Sequence, residues 1–428
     1  MARRRADGKK TQIVVVGGGA GGLELVTKLG AHFPRQDFDI ILVDRNPTHI
    51  WKPLLHEVAA GSLDANLDEV GYRGHAYRWG YRYFDGALEA IDREAKQIVI
   101  APIRDEDGSE VIGRHRIRYD YLVIAVGSIS NDFGIPGVKD HCLALESRPD
   151  ADRFRRKLLN QCLRVSRQMV ANPASDATVK VVIVGGGATG VELAAELYSA
   201  ADALGFYGLE VFDRKRLTVT LLDAAHAELE NLGVSVRANT QVIAATAEAI
   251  HVKDGTVIPA DLRVWAAGVK GAEFLHEIGG LETTRGNQLL VRDTLQTTRD
   301  DSIFAIGDCA SYTPPGAARP IPPRAQAAHQ MADTVFRNIK ALLDGKPLKP
   351  FVYQDKGALV NLARYSTVGS LMGNLVGGKM AIEGRLARFV YTSLYRMHLI
   401  AIHGWIKGLF LILMGHVNQV VRPKLKLH

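Results

Sequence analysis

The clearest pattern along the chain is a β-branched apolar run that leads into a glycine cluster and then into a helix-like segment. It occurs twice, over residues 14–26 and 182–196. Short apolar runs bounded by glycine are typical of buried strands, and the leucine and alanine spacing that follows is typical of a helix packed on a sheet. Each copy therefore predicts a strand, a tight turn and a helix.

Both turns have the spacing G-x-G-x-x-G. Such glycines allow a tight turn, close approach of the backbone to a pyrophosphate, and close packing of helix on strand. The helix N-terminus then offers N–H groups and the positive end of its dipole to the phosphates. Two copies predict two dinucleotides, and hence a redox protein that passes electrons between them. The glycines are Gly17, Gly19 and Gly22 in the first copy, and Gly185, Gly187 and Gly190 in the second.

An acidic residue closes the next predicted strand in both copies, where it would bind a ribose hydroxyl. Asp44 lies 44 − 17 = 27 residues after the first glycine, and Asp223 lies 223 − 185 = 38 residues after the second. The second spacing is long because residues 202–215 interrupt the path from helix to strand. After Asp223 the chain enters the next helix almost at once, so the usual loop is short. Because a 2′-phosphate would be repelled by Asp223, this site should prefer NADH to NADPH.

The order of elements predicts an α/β protein with two Rossmann-like domains, the second inserted in the first. Residues 83–118 read as an antiparallel insertion around a polar turn. The predicted divisions are two parts of the first dinucleotide-binding domain at 11–150 and 291–350, the second dinucleotide-binding domain at 151–290, and a C-terminal region of different character at 351–428.

Composition narrows the class further. A hydrophobic fraction of 47% and a charged fraction of 23% are typical of a globular protein, and the net charge of +7 fits an anionic partner or membrane surface. No nucleic-acid-binding motif is present, and the three cysteines have no metal-binding spacing, so we predict neither a nucleic acid nor a metal ligand. The sparse cysteines fit a reducing cytoplasm, and the basic N-terminus leads into no apolar signal region.

A third motif follows the second unit: Thr298, a short apolar strand, and then Gly307-Asp308. With the two fingerprints, it makes the chain resemble the flavoproteins with two dinucleotide-binding domains. Within them the chain closely resembles the type II (alternative) NADH:quinone oxidoreductases. The segments that carry this resemblance are 42–46, 51–59, 190–193 and the run Ala325-Gln-Ala-Ala-His-Gln330, which fits the signature A-Q-x-A-x-Q.

The resemblance implies non-covalent FAD in the first domain and NADH as a transient ligand of the second. It implies hydride transfer from NADH to FAD and then two-electron reduction of a membrane quinone in the respiratory chain, without proton pumping. Glu192, Gln326 and Gln330 are the implied catalytic residues. The implied FAD-binding residues are Gly17, Gly19, Gly22, Asp44, Arg45, Lys52, Ala125, Gly127, Gly307, Asp308 and Ala325. The implied NADH-binding residues are Gly185, Gly187, Gly190, Asp223 and Gly268.

Several of these residues have a simpler interpretation. Glu192 is also placed to stabilise a helix N-terminus. Lys52 and His56 either stabilise charge on a reduced flavin or are a surface lysine and a packed histidine. We interpret Cys309 as a small packed residue.

Two other functions compete with this reading. A sulfide:quinone oxidoreductase would need paired redox cysteines, and a nucleotide sensor without turnover would not need the two glutamines.

The C-terminal residues 385–414 have a basic arc opposite an apolar arc when drawn at about 100° per residue. The apolar run is shorter than the roughly 20 residues of a bilayer span. We therefore predict a basic amphipathic helix that attaches the protein to the cytoplasmic face of the cell membrane, with Arg422, Lys424 and Lys426 adding attraction to anionic lipid. A homodimer contact is the alternative, and both are compatible. The basic arc holds Arg385, Arg388, Arg396, His403 and Lys407, and the apolar arc holds Leu386, Val390, Leu394, Met397, Ala401 and Trp405.

Overall fold

A computed structural model describes residues 8–204, 208–209, 212–222, 229–230, 232–362, 366–371 and 380–421, without the side chains of 67, 357–392, 394 and 415–421. Asp223 and the three basic residues at the C-terminus therefore lie outside the described residues. The chain forms two compact units. The first comprises residues 1–50, 69–129 and 270–355, and the second comprises residues 51–68, 130–269 and 356–428.

The first unit is built on a six-stranded sheet. All neighbouring strands run parallel except the pair at one edge, Gln296–Thr297 with Asp300–Ala305. The glycine turn follows the strand Thr11–Val16, which lies inside the sheet with a partner on each side. Its β-branched residues are buried on both faces, as expected for a parallel sheet covered by helices. The strand order is Gln296–Thr297, Asp300–Ala305, Tyr121–Ile124, Thr11–Val16, Phe38–Asp44 and Arg82–Asp85.

Two long helices of this unit pack together. The helix Ala20–His32 follows the glycine turn, and the helix Ala325–Leu343 lies against it. A Cβ on Gly21 would come within 2.9 Å of the Ala328 carbonyl oxygen, so the small residues permit this close approach. The other helices in the described part of this unit are short, and Tyr72–Trp79 is the longest of them.

The predicted antiparallel insertion of the first unit is confirmed, except that its first strand, Arg82–Asp85, belongs to the parallel sheet. Three strands form the insertion sheet and a separate two-stranded ribbon carries the polar turn. The insertion strands are Leu88–Asp92, Gln97–Ile100 and His115–Arg118, and the ribbon is Ile103–Arg104 with Glu110–Ile112. Two further ribbons are Thr48–His49 with Val70–Gly71, and Leu289–Leu290 with Ala310–Ser311.

The second unit repeats the plan with a smaller sheet. Its four parallel strands lie in the order Ser235–Arg237, Leu217–Leu222, Val179–Val184 and Leu262–Trp265. The fingerprint helix is Ala188–Leu204, and the helices Leu55–Ala60 and Arg148–Ala171 belong to the same unit. A three-stranded antiparallel sheet completes it, with strands Val242–Ala245, Ala249–Val252 and Val257–Pro259.

The C-terminal part of the second unit has three antiparallel strands followed by two helices, Gly384–His403 and Trp405–Val421. The predicted helix breaks at Gly404, which has φ +80°, and the second helix turns back so that Gly408 lies against Ile400. None of the described helices is both long and apolar enough to cross a bilayer. The strands are Gly357–Leu362, Ser366–Leu371 and Met380–Glu383.

The predicted divisions at 11–150, 151–290, 291–350 and 351–428 separate the chain by the ligand that each part would bind, and they stay a prediction. The two compact units of the structure have different boundaries from these divisions. Residues 51–68 and the C-terminal region both belong to the second unit.

Candidate functional site

The first glycine turn packs closely against the end of the neighbouring strand Tyr121–Ile124. Gly17 has φ +102°, and a Cβ there would lie 2.4 Å from the Ala125 carbonyl oxygen. A Cβ on Gly22 would lie 1.9 Å from the Gly17 carbonyl oxygen. Because each of these contacts is with backbone, a side chain at either position would force the helix away from the sheet.

This turn leaves the next helix uncapped. Gly19 occupies the N-cap and provides no side-chain hydrogen bond, and the first turn of the helix contains no acidic residue. The N–H groups and the positive dipole end of this helix therefore meet no acidic side chain from its first turn, which suits a pyrophosphate.

Asp44 closes the neighbouring strand beside the turn. One carboxylate oxygen accepts the Gly18 N–H at 2.6 Å, and the other accepts the Asn46 N–H at 2.8 Å. Burial raises the pKa of Asp44, and these hydrogen bonds oppose the rise. Asn46 Nδ2 also donates to the second oxygen, at 3.2 Å, so the oxygen that accepts Gly18 keeps a lone pair for a ribose hydroxyl and Asp44 fits its predicted role. Arg45 is exposed next to it.

Sequence reasoning missed Tyr72, which also shapes this turn. Its buried hydroxyl donates to the Gly18 carbonyl oxygen at 2.8 Å, and a Cβ on Gly18 would collide with the ring. Tyr72 follows Gly71 and lies 54 residues after Gly18, and nothing else in the sequence marks it as part of this turn.

Two more predicted FAD residues follow strands that neighbour the glycine turn. Gly127 and Gly307 each have a positive φ, and the strands before them pair directly. Ser128 Oγ donates to an Asp308 carboxylate oxygen at 2.9 Å, and Gln288 Nε2 donates to the Asp308 carbonyl oxygen at 2.9 Å. The first unit thus brings together Gly17, Ala125, Gly127, Gly307 and Asp308 at the carboxyl edge of its sheet, where ligands bind in open α/β folds.

Cys309, next to this motif, is fully buried. Its Sγ donates to the Ile306 carbonyl oxygen at 3.2 Å, and burial raises the pKa of the thiol to about 12. A thiol held neutral in this way is a packing residue, because the thiolate is the reactive form.

Gln326 and Gln330 share one face of the helix that begins at Ala325. Gln326 Nε2 donates to Asp355 Oδ1 at 3.3 Å. Gln330 makes two hydrogen bonds to the backbone of Gln354, each 2.9 Å long. The amides are therefore oriented by residues 354–355, a segment that lies 24 residues after Gln330 and 29 after Gln326 and has no motif of its own.

His329 lies between these glutamines and ties their helix to the fingerprint helix. Its Nδ1 contacts the buried Glu24 carboxylate, which also accepts Lys28 Nζ at 2.5 Å. Burial acts to raise the pKa of Glu24, but the hydrogen bonds and charges of His329 and Lys28 outweigh it and lower the pKa overall. Lys28 also contacts Asp333 on the glutamine helix.

The second unit reproduces the first turn bond for bond. In each unit the N–H of the first glycine donates to a carbonyl near the end of the neighbouring strand: Gly17 to Val43 at 2.8 Å, and Gly185 to Leu222 at 3.0 Å. Gly185 has φ +116°, and a Cβ on Gly190 would lie 2.1 Å from the Gly185 carbonyl oxygen. Asp223 follows Leu222, as Asp44 follows Val43.

Gly268 occupies the position of Gly127 in this repeated geometry. In each unit the loop after the strand that pairs with the fingerprint strand begins with the same hydrogen bond. Ala125 N–H donates to the Val16 carbonyl, and Ala266 N–H donates to the Val184 carbonyl, both at 2.7 Å. Gly268 has φ +129°, and its carbonyl oxygen accepts the Asn131 N–H at 3.0 Å. A Cβ on Gly187 would have open space around it, so this glycine leaves room for a ligand.

Glu192 is buried in the fingerprint helix of the second unit, with only 4% of its surface exposed. His56 Nδ1 lies 3.4 Å from Glu192 Oε2. Burial lowers the pKa of His56 to about 4, against a hydrogen bond with the Pro53 backbone that raises it, so the imidazole is neutral near pH 7. Lys52, in the same segment, is exposed.

Comparison with known proteins gives the family. The sequence profile of the pyridine nucleotide-disulphide oxidoreductases matches residues 11–332. A Haemophilus influenzae protein named type II NADH:quinone oxidoreductase is 45% identical, over 97% of this chain and 99% of its own length. The chain belongs to the pyridine nucleotide-disulphide oxidoreductase family, and to the type II NADH:quinone oxidoreductases within it.

Further relatives and solved structures are also similar to this chain. Type II NADH:quinone oxidoreductases of Staphylococcus aureus are 29% identical, over 87% of this chain and 92% of their own length. The structure of NDH2 from Plasmodium falciparum in complex with NADH is similar over 98% of this chain and 100% of that one, with a TM-score of 0.79 at 18% identity. The sulfide:quinone oxidoreductase of Aquifex aeolicus has a TM-score of 0.68 at 19% identity, covering 96% of this chain and 95% of that one. These likenesses confirm the α/β two-dinucleotide fold of the family.

Substitution of Gly22 by alanine should abolish stable FAD binding. The added methyl group meets the Gly17 carbonyl at 1.9 Å, and overpacking against backbone costs about 1–3 kcal/mol or more. We expect the flavin absorbance per chain to fall at least about tenfold after gel filtration. Gly74→Ala is the matched control, because a Cβ at Gly74 meets nothing within 4 Å. Equal FAD content in both variants would contradict the assignment of this turn.

Gly190→Ala should distinguish the roles of the two glycine turns. The added methyl group clashes with the Gly185 carbonyl in the second unit only, so FAD should stay bound while NADH no longer bleaches the flavin at micromolar concentration. Loss of FAD together with NADH reduction would show that the second turn is needed for folding of the first.

Proposed function

We propose that this chain is an FAD-dependent, non-proton-pumping NADH:quinone oxidoreductase of the respiratory chain. The observation that carries the proposal is the 45% identity to the Haemophilus influenzae protein over nearly the full length of both chains. The two complete dinucleotide-binding turns supply the geometry that such an enzyme needs. Steady-state oxidation of NADH with a soluble quinone, by protein that contains FAD, tests it directly.

FAD would be held by the first unit. The turn Gly17–Gly22 with its helix N-terminus would bind the pyrophosphate, Asp44 the ribose, and Asp308 the ribityl chain, with Arg45, Ala125, Gly127 and Ala325 beside them. The uncapped helix end and the lone pair left on the Asp44 oxygen that accepts Gly18 fit this cofactor. Bound FAD supplies the two-electron redox chemistry that connects NADH to the quinone. Lys52 is proposed to stabilise negative charge on the reduced cofactor.

NADH would bind to the second unit at Gly185, Gly187, Gly190 and Gly268. Asp223 is proposed to accept both hydroxyls of the adenosine ribose, because in sequence it follows Leu222, which accepts the Gly185 N–H, as Asp44 follows Val43, which accepts the Gly17 N–H. Glu192 is proposed to orient the nicotinamide or to move a proton, since its buried carboxylate has an imidazole nitrogen 3.4 Å away.

The quinone headgroup is proposed to meet the helix face of Gln326 and Gln330. Amide side chains provide N–H donors to the two carbonyl oxygens of a quinone, and carbonyl acceptors to the hydroxyls of the quinol that is formed. Their hydrogen bonds to Gln354 and Asp355 hold them in fixed orientations, which reduces the entropy lost when a headgroup binds.

The alternative chemistry of sulfide oxidation is disfavoured by the cysteines. All three are free, and burial raises the pKa of Cys142 to about 11 and those of Cys162 and Cys309 to about 12. A sulfide-oxidising enzyme needs thiolates that attack and exchange readily. Buried thiols that stay protonated near pH 7 do not react in this way.

We further propose that the C-terminal helices attach the protein to the cytoplasmic face of the cell membrane, and that it acts as a homodimer. The helix that begins at Trp405 exposes large apolar side chains: Trp405 is 72% exposed and Ile406 is 90% exposed. Leu409, Phe410 and Leu413 continue the exposed apolar surface, which is typical of an interfacial helix. His403, expected on the basic arc, is instead buried, because the chain turns back at Gly404 and the next helix packs on the end of the helix that holds His403.

The first helix of this region is fixed to the segment 51–68 of its own unit. Tyr395 donates from its hydroxyl to Asp68 Oδ1 at 3.0 Å, and the His398 ring stacks on Trp51 with centroids 4.1 Å apart. The membrane-facing helix is therefore joined firmly to the body of the second unit.

Gln330→Leu should slow quinone reduction by about tenfold or more, the effect of losing hydrogen bonds worth about 1–2 kcal/mol. NADH should still bleach the flavin in a single turnover, because Gln330 is proposed to contact the quinone and not NADH. Single-turnover measurements separate the two half-reactions. Gln168→Leu, on an exposed helix face of the second unit, is the control for added surface leucine. Equal loss of both half-reactions would instead assign Gln330 to flavin binding.

Asp223→Ala should reduce the preference for NADH over NADPH by at least about tenfold in kcat/KM, since the ribose acceptor and its repulsion of a 2′-phosphate are both lost. Asp254→Ala removes an exposed carboxylate from the same unit and should leave the preference unchanged. A wild-type enzyme that uses both nucleotides equally would refute the proposed role of Asp223.

Replacement of both Ile406 and Phe410 by glutamate should move the protein from the membrane pellet to the supernatant, because two charges would enter the lipid interface. Val352→Glu, at an exposed valine of the first unit, should stay in the pellet. High salt alone should release the wild type only in part, since it screens charge but leaves the apolar surface buried. Complete release by salt would point to a purely electrostatic attachment.

A further inference from the structure

A buried histidine of the second unit has a ring nitrogen without a partner. His56, in the helix Leu55–Ala60, is only 2% exposed, and its Nε2 has no hydrogen-bond partner among the atoms that the structure describes. A buried polar atom left unsatisfied costs about 1–3 kcal/mol. A native protein tolerates such an atom where a water, an ion or a ligand completes it.

This nitrogen faces carboxylates. Glu57 Oε1 lies 3.8 Å from His56 Nε2, which is too long for a hydrogen bond. One ligand atom each of His56, Glu57 and Glu196 lie within 4.8 Å of one another. Two ligands of a single ion, each about 2.1 Å from it, lie roughly 3–4.2 Å apart. The three side chains therefore need only small rotations to meet at one ion.

The atoms behind these ligands are arranged as at known metal centres. A metal-binding histidine usually donates its other ring N–H to a carboxylate or a backbone carbonyl. His56 Nδ1 lies 3.4 Å from Glu192 Oε2, and the imidazole also hydrogen-bonds to the Pro53 backbone. Ser62 Oγ donates to Glu196 Oε2 at 2.9 Å, which fixes the orientation of that carboxylate.

We propose that His56 Nε2, Glu57 and Glu196 form a binding site for a divalent transition-metal ion such as Zn²⁺. One imidazole nitrogen with two carboxylate oxygens suits Zn²⁺ and its neighbours, whereas Ca²⁺ and Mg²⁺ prefer all-oxygen sites and Cu(I) prefers sulfur. The site goes beyond the NADH:quinone reaction and does not rest on it. It also departs from the prediction of no metal, which considered only cysteine spacing.

A bound ion would act on the proposed catalytic residue through the histidine. With Nε2 coordinated, the imidazole proton stays on Nδ1, which hydrogen-bonds to the Pro53 backbone and lies 3.4 Å from Glu192 Oε2. The ion would thus fix the imidazole ring beside the Glu192 carboxylate. His56 is in this sense a positioning residue for Glu192.

Metal binding to the detergent-solubilised holoenzyme tests the site. Chelator-treated protein is loaded with Zn²⁺ and desalted, and Zn²⁺ is measured by mass spectrometry against the flavin absorbance. We expect wild type to retain about one Zn²⁺ more per FAD than Glu57→Gln or His56→Gln. Titration calorimetry should show at least about tenfold weaker binding at this site in both variants.

The chain offers a matched control in the first unit. His276 and Glu277 are also adjacent, with Nε2 and Oε1 3.7 Å apart, but their side chains are 63% and 83% exposed. The His276→Gln/Glu277→Gln variant should retain as much Zn²⁺ as wild type, because this pair is exposed and, among the described residues, no third ligand joins it. Glu57 is on the edge of the site, so Glu57→Gln should fold, and unchanged FAD content verifies this.

Three results would overturn the proposal. These are equal Zn²⁺ content in wild type and both site variants, equal loss in the His276/Glu277 variant, and no Zn²⁺ retained by wild type. The first two would mean adventitious binding, and the last would mean that the space at Nε2 holds water.

Discussion

The geometry of this protein depends on one contact, the approach of a glycine turn to the backbone of the neighbouring parallel strand. In the first unit the Gly17 Cα has the Ala125 carbonyl where a side chain would be, and Gly22 lies directly over Gly17. The second unit repeats both contacts with Gly185, Ala266 and Gly190. This closeness lets a helix N-terminus point at the carboxyl edge of the sheet, where the acid of the next strand and the turn of the third strand also end. Each unit therefore makes a dinucleotide site from three loops that are far apart in sequence.

Buried carboxylates hold the helices that carry the proposed chemistry. Glu24, on the fingerprint helix of the first unit, contacts His329 and Lys28, and so fixes the helix of Gln326 and Gln330. Glu192, at the same position of the second fingerprint helix, lies beside His56. In both units the same turn of the helix carries a buried acid with a histidine partner. Burying a charged group is costly unless it is paired, so these contacts specify one helix arrangement.

Much of the fold was readable from the chain because the signals are local. Alternating apolar runs, glycine spacing and the acids at strand ends lie within about 40 residues of each other, as in any Rossmann unit. The predicted antiparallel insertion was right for the same reason, apart from the strand Arg82–Asp85, which a short alternating pattern cannot assign to one sheet or another. The roles of the individual site residues remain predictions that the geometry supports. Tyr72, Gln354 and Asp355 could not be found, because a lone tyrosine or a loop acid has no pattern that distinguishes it from a surface residue.

The sequence by itself determined that two dinucleotide-binding units exist, where their turns lie, and which family the chain resembles. These are properties of spacing, and backbone stereochemistry allows few residues other than glycine at such turns. Only the tertiary structure decided which side chains meet. It brought Glu196 to His56 across 140 positions of sequence, placed Gln354 on Gln330, and turned the C-terminal helix back at Gly404 so that His403 is buried and Ile406 exposed. Such contacts arise from the packing of whole helices, whose mutual orientation is set by the summed surfaces of many residues rather than by any short motif.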